Sequence, residues 1–303
     1  MTTMDTTFDT PASVHASAPP RPHGLFAAMR PALQWRLLLL WLLGLLLPAL
    51  AASLPVWRWF GAAFDHTVNA QAYARRLDLA AITDMASLHP HYATALASGG
   101  LVALVLTLLL SPLLTGAAIT AARAPRPLGF AALAAGGVHE YGRLLRTLVW
   151  AIVPLGLAAF LGGIGMGAAE DHSASAVLES SADNARLGAF AVMAVLLLLA
   201  HATLDAGRAV LALDRRRTSA VMAWAAGLEL LARRPLATLG LYFGVSIVGF
   251  GLAALLAVAR INVPALGAGG TLGAFLLAQL AVLALAWMRC ARLFGLMELA
   301  RPR

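Results

Sequence analysis

The sequence predicts an all-α integral membrane protein, and three observations carry that prediction. Of its 303 residues, 60% are hydrophobic and only 12% are charged, which departs from the composition of soluble domains. Six stretches are long and apolar enough to cross a bilayer, which takes about 20 residues each. All 22 cationic side chains are arginines, and most fall in alternate gaps between these stretches. The predicted fold is a bundle of six transmembrane helices with amphipathic helices at the cytoplasmic interface.

The apolar stretches place the spans at about residues 37–56, 98–118, 147–168, 187–207, 236–258 and 271–290. Residues 1–24 are rich in Thr, Ala, Ser and Pro, which predicts a disordered cytoplasmic tail. The apolar block that follows is too long for the core of a cleaved signal peptide, so we expect the first span to be retained. Residues 25–300 are then a single six-span membrane domain.

The arginines predict the orientation of the spans, because cytoplasmic loops of membrane proteins collect cationic residues. Seventeen arginines lie in the N-terminal tail, the second and fourth gaps and the C-terminal end, and five lie in the other gaps. This split predicts that both termini are cytoplasmic. A soluble protein with a net charge of +8 would suggest nucleic acid as a partner, but these arginines flank apolar spans, which favours anionic membrane lipids instead.

Each cytoplasmic gap also contains a segment that mixes apolar and cationic residues before the next span. The three segments are Leu25 to Arg36, Gly129 to Arg146 and Ser219 to Pro235. Each predicts a helix that rests its apolar face in the headgroup layer while its arginines meet lipid phosphates. The chain thus repeats one module three times, namely an interfacial helix, an outward span, an external loop and a return span. Arg233 and Arg234 are the candidate lipid-headgroup contacts.

The most polar point inside a span is the run from His201 to Arg208 at the cytoplasmic end of the fourth stretch. On a helix, His201, Asp205 and Arg208 fall within roughly 60° of one another and form one stripe. An ionisable group at membrane depth is a candidate functional residue because burying it unpaired is costly. Two interpretations stay open, an Asp205–Arg208 ion pair that pins the end of the span, and a proton-relay or anionic-headgroup site.

A second polar cluster precedes the third span and contains His139, Glu140, Arg143 and Arg146. Local pairing of Glu140 with Arg143, three residues apart on a helix, is the simplest explanation of this cluster. Because both clusters are predicted to lie on the cytoplasmic side, we hypothesise that the bundle joins them into one polar pocket.

Other chemistries have little support in this sequence. It contains no nucleophile elbow, zinc-protease motif, phosphate-binding loop or dinucleotide fingerprint, so it predicts no cofactor and gives enzymatic function little support. His66, His89 and His91 could face the external side, but an HPH run is a weak pattern for metal ligands, and no metal site is predicted.

Three segments carry a resemblance to a known group of proteins, namely Gly136 to Arg146, Leu204 to Ala220 and Leu231 to Tyr242. Over about residues 25–300 the pattern resembles uncharacterised bacterial multi-pass proteins similar to the membrane domain of some glycerophosphoryl diester phosphodiesterases. The resemblance implies a six-helix inner-membrane module. It transfers no catalytic residue, because residues 1–303 include no soluble catalytic domain.

Three functions remain open at this point, and the third is an intramembrane lipid-modifying enzyme, which would need His201 and Asp205 to face a lipid-accessible groove with a second acid or base. The first is a non-enzymatic scaffold or accessory module that organises lipid or an unidentified membrane-protein partner at the inner leaflet. The second is a transporter or flippase-like permease that uses the polar site near His201, Asp205 and Arg208. A continuous polar cavity reaching the midplane would favour transport, and a packed bundle would favour the scaffold.

Overall fold

The protein is all-α in every segment that the structure, a computed structural model, describes. The described residues are 29–64, 79–176, 178–264 and 267–301. Their eight α-helices are α1 (Trp35–Phe64), α2 (Leu79–Arg123), α3 (Phe130–Trp150), α4 (Ile152–Ser175), α5 (Glu179–Leu213), α6 (Ala220–Arg233), α7 (Pro235–Asn262) and α8 (Gly267–Ala300). A short 3-10 helix, Arg30–Leu33, precedes α1.

Six helical segments are long and apolar enough to cross a membrane, as the sequence predicts. They are Trp35–Ala62, His89–Arg123, Phe130–Ser175, Glu179–Leu213, Pro235–Asn262 and Gly267–Ala300. Their surfaces agree with a lipid environment, because large apolar side chains remain exposed along all six. The chain is therefore a multi-pass membrane protein.

The helices pack as three hairpins, formed by α1 with α2, α4 with α5, and α7 with α8. Close approaches at two levels show that α1 and α2 are antiparallel. A Cβ atom on Gly99 would meet Pro55, and one on Gly44 would meet Leu114. The shared core gathers where α2, α5 and α8 end, so the arginine-rich side of the protein is its best-packed side.

The helices α3 and α6 occupy equivalent places in the repeated module. Each begins shortly after a return span and crosses back over it at a pair of glycines. A Cβ atom on Gly137 of α3 would lie 2.6 Å from the Leu113 carbonyl oxygen of α2, and one on Gly227 of α6 would meet the backbone nitrogen of Gly207 on α5. Only glycine permits backbones to approach so closely. These contacts give the repeat seen in the sequence a structural counterpart.

Proline positions explain where two of the boundaries fall. Pro154 lies in the first turn of α4, where its missing N–H removes the hydrogen bond that would join α4 to α3, and Ala151 separates the two helices. Pro235 begins α7 directly after Arg234, whose backbone angles are not helical.

The first module differs from its prediction. Residues 30–36 do not form an amphipathic helix of their own, because a short 3-10 turn starting at Arg30 ends at Gln34, whose backbone is extended, and α1 follows at once. The Gln34 side chain donates to the Leu128 carbonyl oxygen at 2.9 Å, which ties this turn to the segment before α3. The predicted disordered tail, residues 1–24, lies outside the described residues, as do residues 25–28.

Candidate functional site

One polar level runs across the bundle on the arginine-rich side. Thr115, Asp205 and Arg292 each lie eight residues before the last residue of their helix, on α2, α5 and α8 respectively. At 1.5 Å per residue this places them about 12 Å from the helix ends. The three return spans therefore bring polar side chains to the same depth.

Asp205 is the centre of the first ion-pair network. It is 9% exposed, and its Oδ1 accepts from Nη1 of Arg208 at 2.8 Å on the same helix. Its Oδ2 lies 3.1 Å from Nη2 of Arg292 on α8, whose side chain is also buried. This second contact connects the second hairpin to the third. Both carboxylate oxygens thus have a cationic partner, as a buried charge requires.

His201 and Tyr242 surround this ion pair on the side of α7. Nδ1 of His201 lies 2.9 Å from the Tyr242 hydroxyl and 3.7 Å from Oδ2 of Asp205. The Arg292 guanidinium stacks over the Tyr242 ring at 4.7 Å, and its Nη1 donates to the Ser246 hydroxyl at 3.1 Å. The predicted stripe of His201, Asp205 and Arg208 is therefore one half of a site that α7 and α8 complete.

A cavity adjoins this network where the three hairpins meet. It is small, with a cavity volume of about 40 Å³. Its polar lining comes from four helices and consists of Trp41, Ser111, Thr115, His201, Asp205, Arg208, Arg289 and Arg292. Three arginines and a single carboxylate share this lining, so the cavity is strongly electropositive.

Arg289 is the arginine of this cavity that lacks a counter-charge. Among the described residues it takes part in no ion pair or hydrogen bond, and its guanidinium lies 5.9 Å from the centre of the Trp41 ring. Arg289 is exposed at the edge of the cavity. An arginine kept here without a carboxylate leaves the cavity complementary to an anion.

The second ion-pair network centres on Glu140 of α3. This carboxylate is buried, and it pairs with Arg143 of the same helix at 2.7 Å and with Arg123 at the end of α2 at 2.5 Å. The sequence predicts the pairing with Arg143, and the structure confirms it. Arg123 lies seventeen residues away in sequence and is an addition that spacing alone does not reveal.

The two arginines of this network also hold the end of α5. Arg123 donates through Nε to the Ala212 carbonyl oxygen at 2.7 Å. Arg143 donates to the carbonyl oxygens of Leu211 and Asp214 at 3.0 and 2.6 Å, and to that of Arg217. The last carbonyls of a helix have no partner within it and carry partial negative charge, so guanidinium groups stabilise them. The Glu140 network therefore stabilises the end of α5 and has a structural role.

The Asp205 network and the Glu140 network are separate, whereas the hypothesis of a single polar pocket expects them to be joined. No hydrogen bond or ion pair between described residues joins the Asp205 network to the Glu140 network, although α5 contributes to both. His139 and Arg146 point away from both networks and are exposed. The reason is helical periodicity, since at about 100° per residue positions 139 and 146 lie about 100° and 120° around α3 from the buried Glu140.

The two candidate headgroup contacts are next to each other in sequence but differ in environment. Arg233 is exposed at the end of α6, where its Nη2 lies 2.5 Å from Oε1 of Glu229. Arg234 is half-buried and donates weakly to the Leu299 carbonyl oxygen of α8 at 3.4 Å.

Sequence reasoning missed four site residues, Trp41, Tyr242, Arg289 and Arg292. The arginine count assigns these two arginines to the C-terminal end as orientation markers, whereas both line the cavity from α8. The available signal was their spacing, because arginines three residues apart in a helix share a face. The sequence does not indicate that this face of α8 packs against α5.

These features define the class of the protein as a multi-pass membrane protein with two buried arginine–carboxylate networks. Comparisons with protein-family models, curated proteins and solved structures find no match to this chain. Among the described residues, no group of three or more histidine, cysteine and acidic side chains is placed to hold a metal ion.

Proposed function

We propose that this protein is a non-enzymatic accessory module of the bacterial inner membrane, which organises anionic lipid or a membrane-protein partner at the cytoplasmic leaflet. In this proposal both termini are cytoplasmic, and α3 and α6 lie along the inner interface. The observation that carries it is the way in which α6 packs. Its small residues Ala223 and Gly227 are buried against α5, while Val221, Met222 and Leu228 are exposed.

A helix with large apolar side chains on its free face and arginines at its end has the composition of an interfacial anchor. The α3 helix supports the same interpretation, because Phe130, Val138 and Val149 are exposed while its opposite face contacts α2 and α5. Each juxtamembrane arginine adds about 1 kcal/mol of attraction to an anionic surface. The arginine-rich side of the protein is thus suited to collect anionic lipid.

Lipid enrichment around the purified protein tests this proposal. We expect discs cut from native membranes with a styrene–maleic acid polymer to be richer in anionic lipid than the bulk membrane. The double variant Arg233→Gln/Arg234→Gln should lower that enrichment by roughly twofold or more, because it removes two cationic contacts. Lipid analysis by mass spectrometry gives the ratio. The matched control is Arg186→Gln, an exposed arginine at the other end of the bundle.

A lipid composition equal to the bulk membrane would count against the accessory module. So would equal enrichment in the Arg233→Gln/Arg234→Gln and Arg186→Gln proteins, because the proposed face would then have no special role.

The proposed orientation has its own test. Cys290 is buried, so a Cys290→Ala background allows single cysteines to be introduced. Ser175→Cys, at the end of α4, should react with an impermeant maleimide added to the periplasmic side, and Thr218→Cys, between α5 and α6, should react only after the membrane is opened. Both positions are exposed, so access depends on sidedness. Labelling of Thr218→Cys from the periplasmic side would overturn the orientation.

A permease is the second candidate, and the cavity beside His201, Asp205 and Arg208 is the observation that favours it. The cavity lies on the arginine-rich side, about 12 Å from the ends of α2, α5 and α8. Transport requires this site to open to the opposite side as well. The tightly packed ends of the return spans favour the accessory module instead.

A further inference from the structure

The cavity between α1, α2, α5 and α8 contains more hydrogen-bond donors than the protein itself uses. The buried indole of Trp41 is 3% exposed, and its Nε1–H has no partner among the described residues. The same is true of the Nε–H of Arg292, whose residue is 5% exposed. Buried N–H groups without partners are rare, because each loses its hydrogen bond to water. Two in one cavity indicate a missing acceptor.

The charges of the cavity specify what kind of acceptor is missing. Asp205 neutralises one of the three arginines, and both of its oxygens are already engaged by Arg208 and Arg292. Arg289 remains as a cation at the cavity with no carboxylate partner in the described chain. A neutral acceptor would satisfy the donors and leave this charge in place. An anion with several oxygens satisfies both.

The arrangement of the hydrogen-bond donors further restricts the kind of anion that fits the cavity. Four residues with hydrogen-bond donors, Trp41, Ser111, Arg289 and Arg292, line one cavity from three different helices, α1, α2 and α8. Guanidinium groups bind carboxylate and phosphate oxygens through paired N–H donors. A tetrahedral phosphate presents oxygens in several directions at once, whereas a carboxylate presents two in one plane. The donors come from separate helices, which favours the tetrahedral group.

The geometry points to a phosphate-binding site formed by Trp41, Ser111, Arg289 and Arg292 at the junction of the three hairpins. The phosphate is either inorganic or part of a lipid headgroup, and both sources offer the same oxygens to the same donors. Arg289 lies at the exposed edge of the cavity, where a bound phosphate meets it first. Asp205 serves as a positioning residue, because it holds Arg292 in place from the other side.

This site is independent of the proposed function, which rests on the outer faces of α3 and α6. Loss of phosphate binding would leave lipid enrichment dependent on Arg233 and Arg234 unchanged. Loss of that enrichment would in turn leave the cavity intact. An experiment that contradicts the phosphate site therefore leaves the proposed function untouched, and the reverse also holds.

The test measures binding to the full-length protein in neutral detergent. Radiolabelled inorganic phosphate is titrated at constant ionic strength with chloride, and in a second arm phosphatidic acid is titrated into mixed micelles against phosphatidylcholine. We expect saturable binding of about one phosphate group per chain in at least one arm. Ligand that binds only the folded state also raises the midpoint of thermal unfolding, which provides a second readout.

Arg289→Gln should weaken binding about tenfold or more, because a hydrogen bond to a charged group contributes about 1.5 to 3 kcal/mol and 1.4 kcal/mol is a factor of ten. Trp41→Phe should weaken it by a smaller factor, since it removes one N–H and keeps an aromatic ring. Arg289→Gln removes no ion-pair partner and should unfold near the wild-type midpoint without ligand, whereas Trp41→Phe removes buried volume from the core and should lower that midpoint, so binding of each variant is compared with its own unliganded state. Arg186→Gln is the matched control and should bind as the wild type does.

Each outcome decides the proposal. Binding in the inorganic arm that Arg289→Gln weakens identifies a free phosphate site, and the same result only with phosphatidic acid identifies a headgroup site. No saturable binding in either arm overturns the proposal. Binding that Arg289→Gln and Arg186→Gln leave equally strong overturns it as well, because the phosphate would then be held elsewhere.

Discussion

Replacement of Asp205 by alanine is expected to lower the free energy of unfolding by about 3 kcal/mol. The change leaves Arg208 and Arg292 without the carboxylate that both contact, and breaking a buried pair from one side costs about 3 to 5 kcal/mol. We place the effect at the lower end because both arginines retain other neighbours, including Tyr242 beside Arg292. Equilibrium unfolding in mixed micelles with a rising fraction of sodium dodecyl sulfate measures the change.

Asp183→Ala is the matched control for this prediction. Asp183 also has an arginine three residues later, Arg186, but the pair is exposed and 3.7 Å apart. Exposed pairs of this kind contribute about 0 to 1 kcal/mol. If Asp205→Ala and Asp183→Ala destabilised the protein equally, the Asp205 network would have no structural role.

Replacement of Glu140 by alanine should produce the second large effect, again about 3 kcal/mol, because Arg123 and Arg143 lose their shared buried carboxylate. This change should also act at a distance. Arg143 holds the carbonyl oxygens of Asp214 and Arg217, so the turn between α5 and α6 should loosen when Arg143 is no longer oriented. We expect faster tryptic cleavage at Arg215 and Arg216, followed by mass spectrometry of the peptides.

Glu229→Ala provides the control, since Glu229 pairs with Arg233 four residues later but both side chains are exposed. Its expected effect on stability is below about 1 kcal/mol, with no change in cleavage between α5 and α6. Unchanged cleavage in Glu140→Ala would show that Arg143 holds the turn without help from Glu140.

The span count followed from composition, but the helix lengths did not. The number of apolar residues in a span reflects the thickness of the hydrocarbon layer that the span crosses. The helix itself continues beyond that layer where its backbone hydrogen bonds and its packing allow. Both helices of the first hairpin extend into the segment between the first two predicted spans, because α1 continues to Phe64 and α2 begins at Leu79. The break between α3 and α4 falls at Ala151, a few residues after the predicted start of the third span at 147.

In the candidate site, contacts within one helix could be predicted from the sequence, whereas contacts between helices could not. Contacts three residues apart, such as Glu140 with Arg143 and Asp205 with Arg208, follow from the geometry of one helix. Contacts made by Arg292 depend on how α8 is rotated against α5, which no spacing within one segment encodes. The same limit explains why two clusters on one side of the membrane could be mistaken for one pocket.

The contact between Asp205 and Arg292 also orders the events of synthesis. Domains made on the ribosome acquire their N-terminal parts first, so α5 enters the membrane before α8 exists. During that interval Asp205 has only Arg208 and His201 of its own helix beside it, and one of its oxygens lacks its final partner. The arrival of α8 supplies Arg292 and much of the shared core in one step. Completion of the Asp205 network therefore depends on the last hairpin.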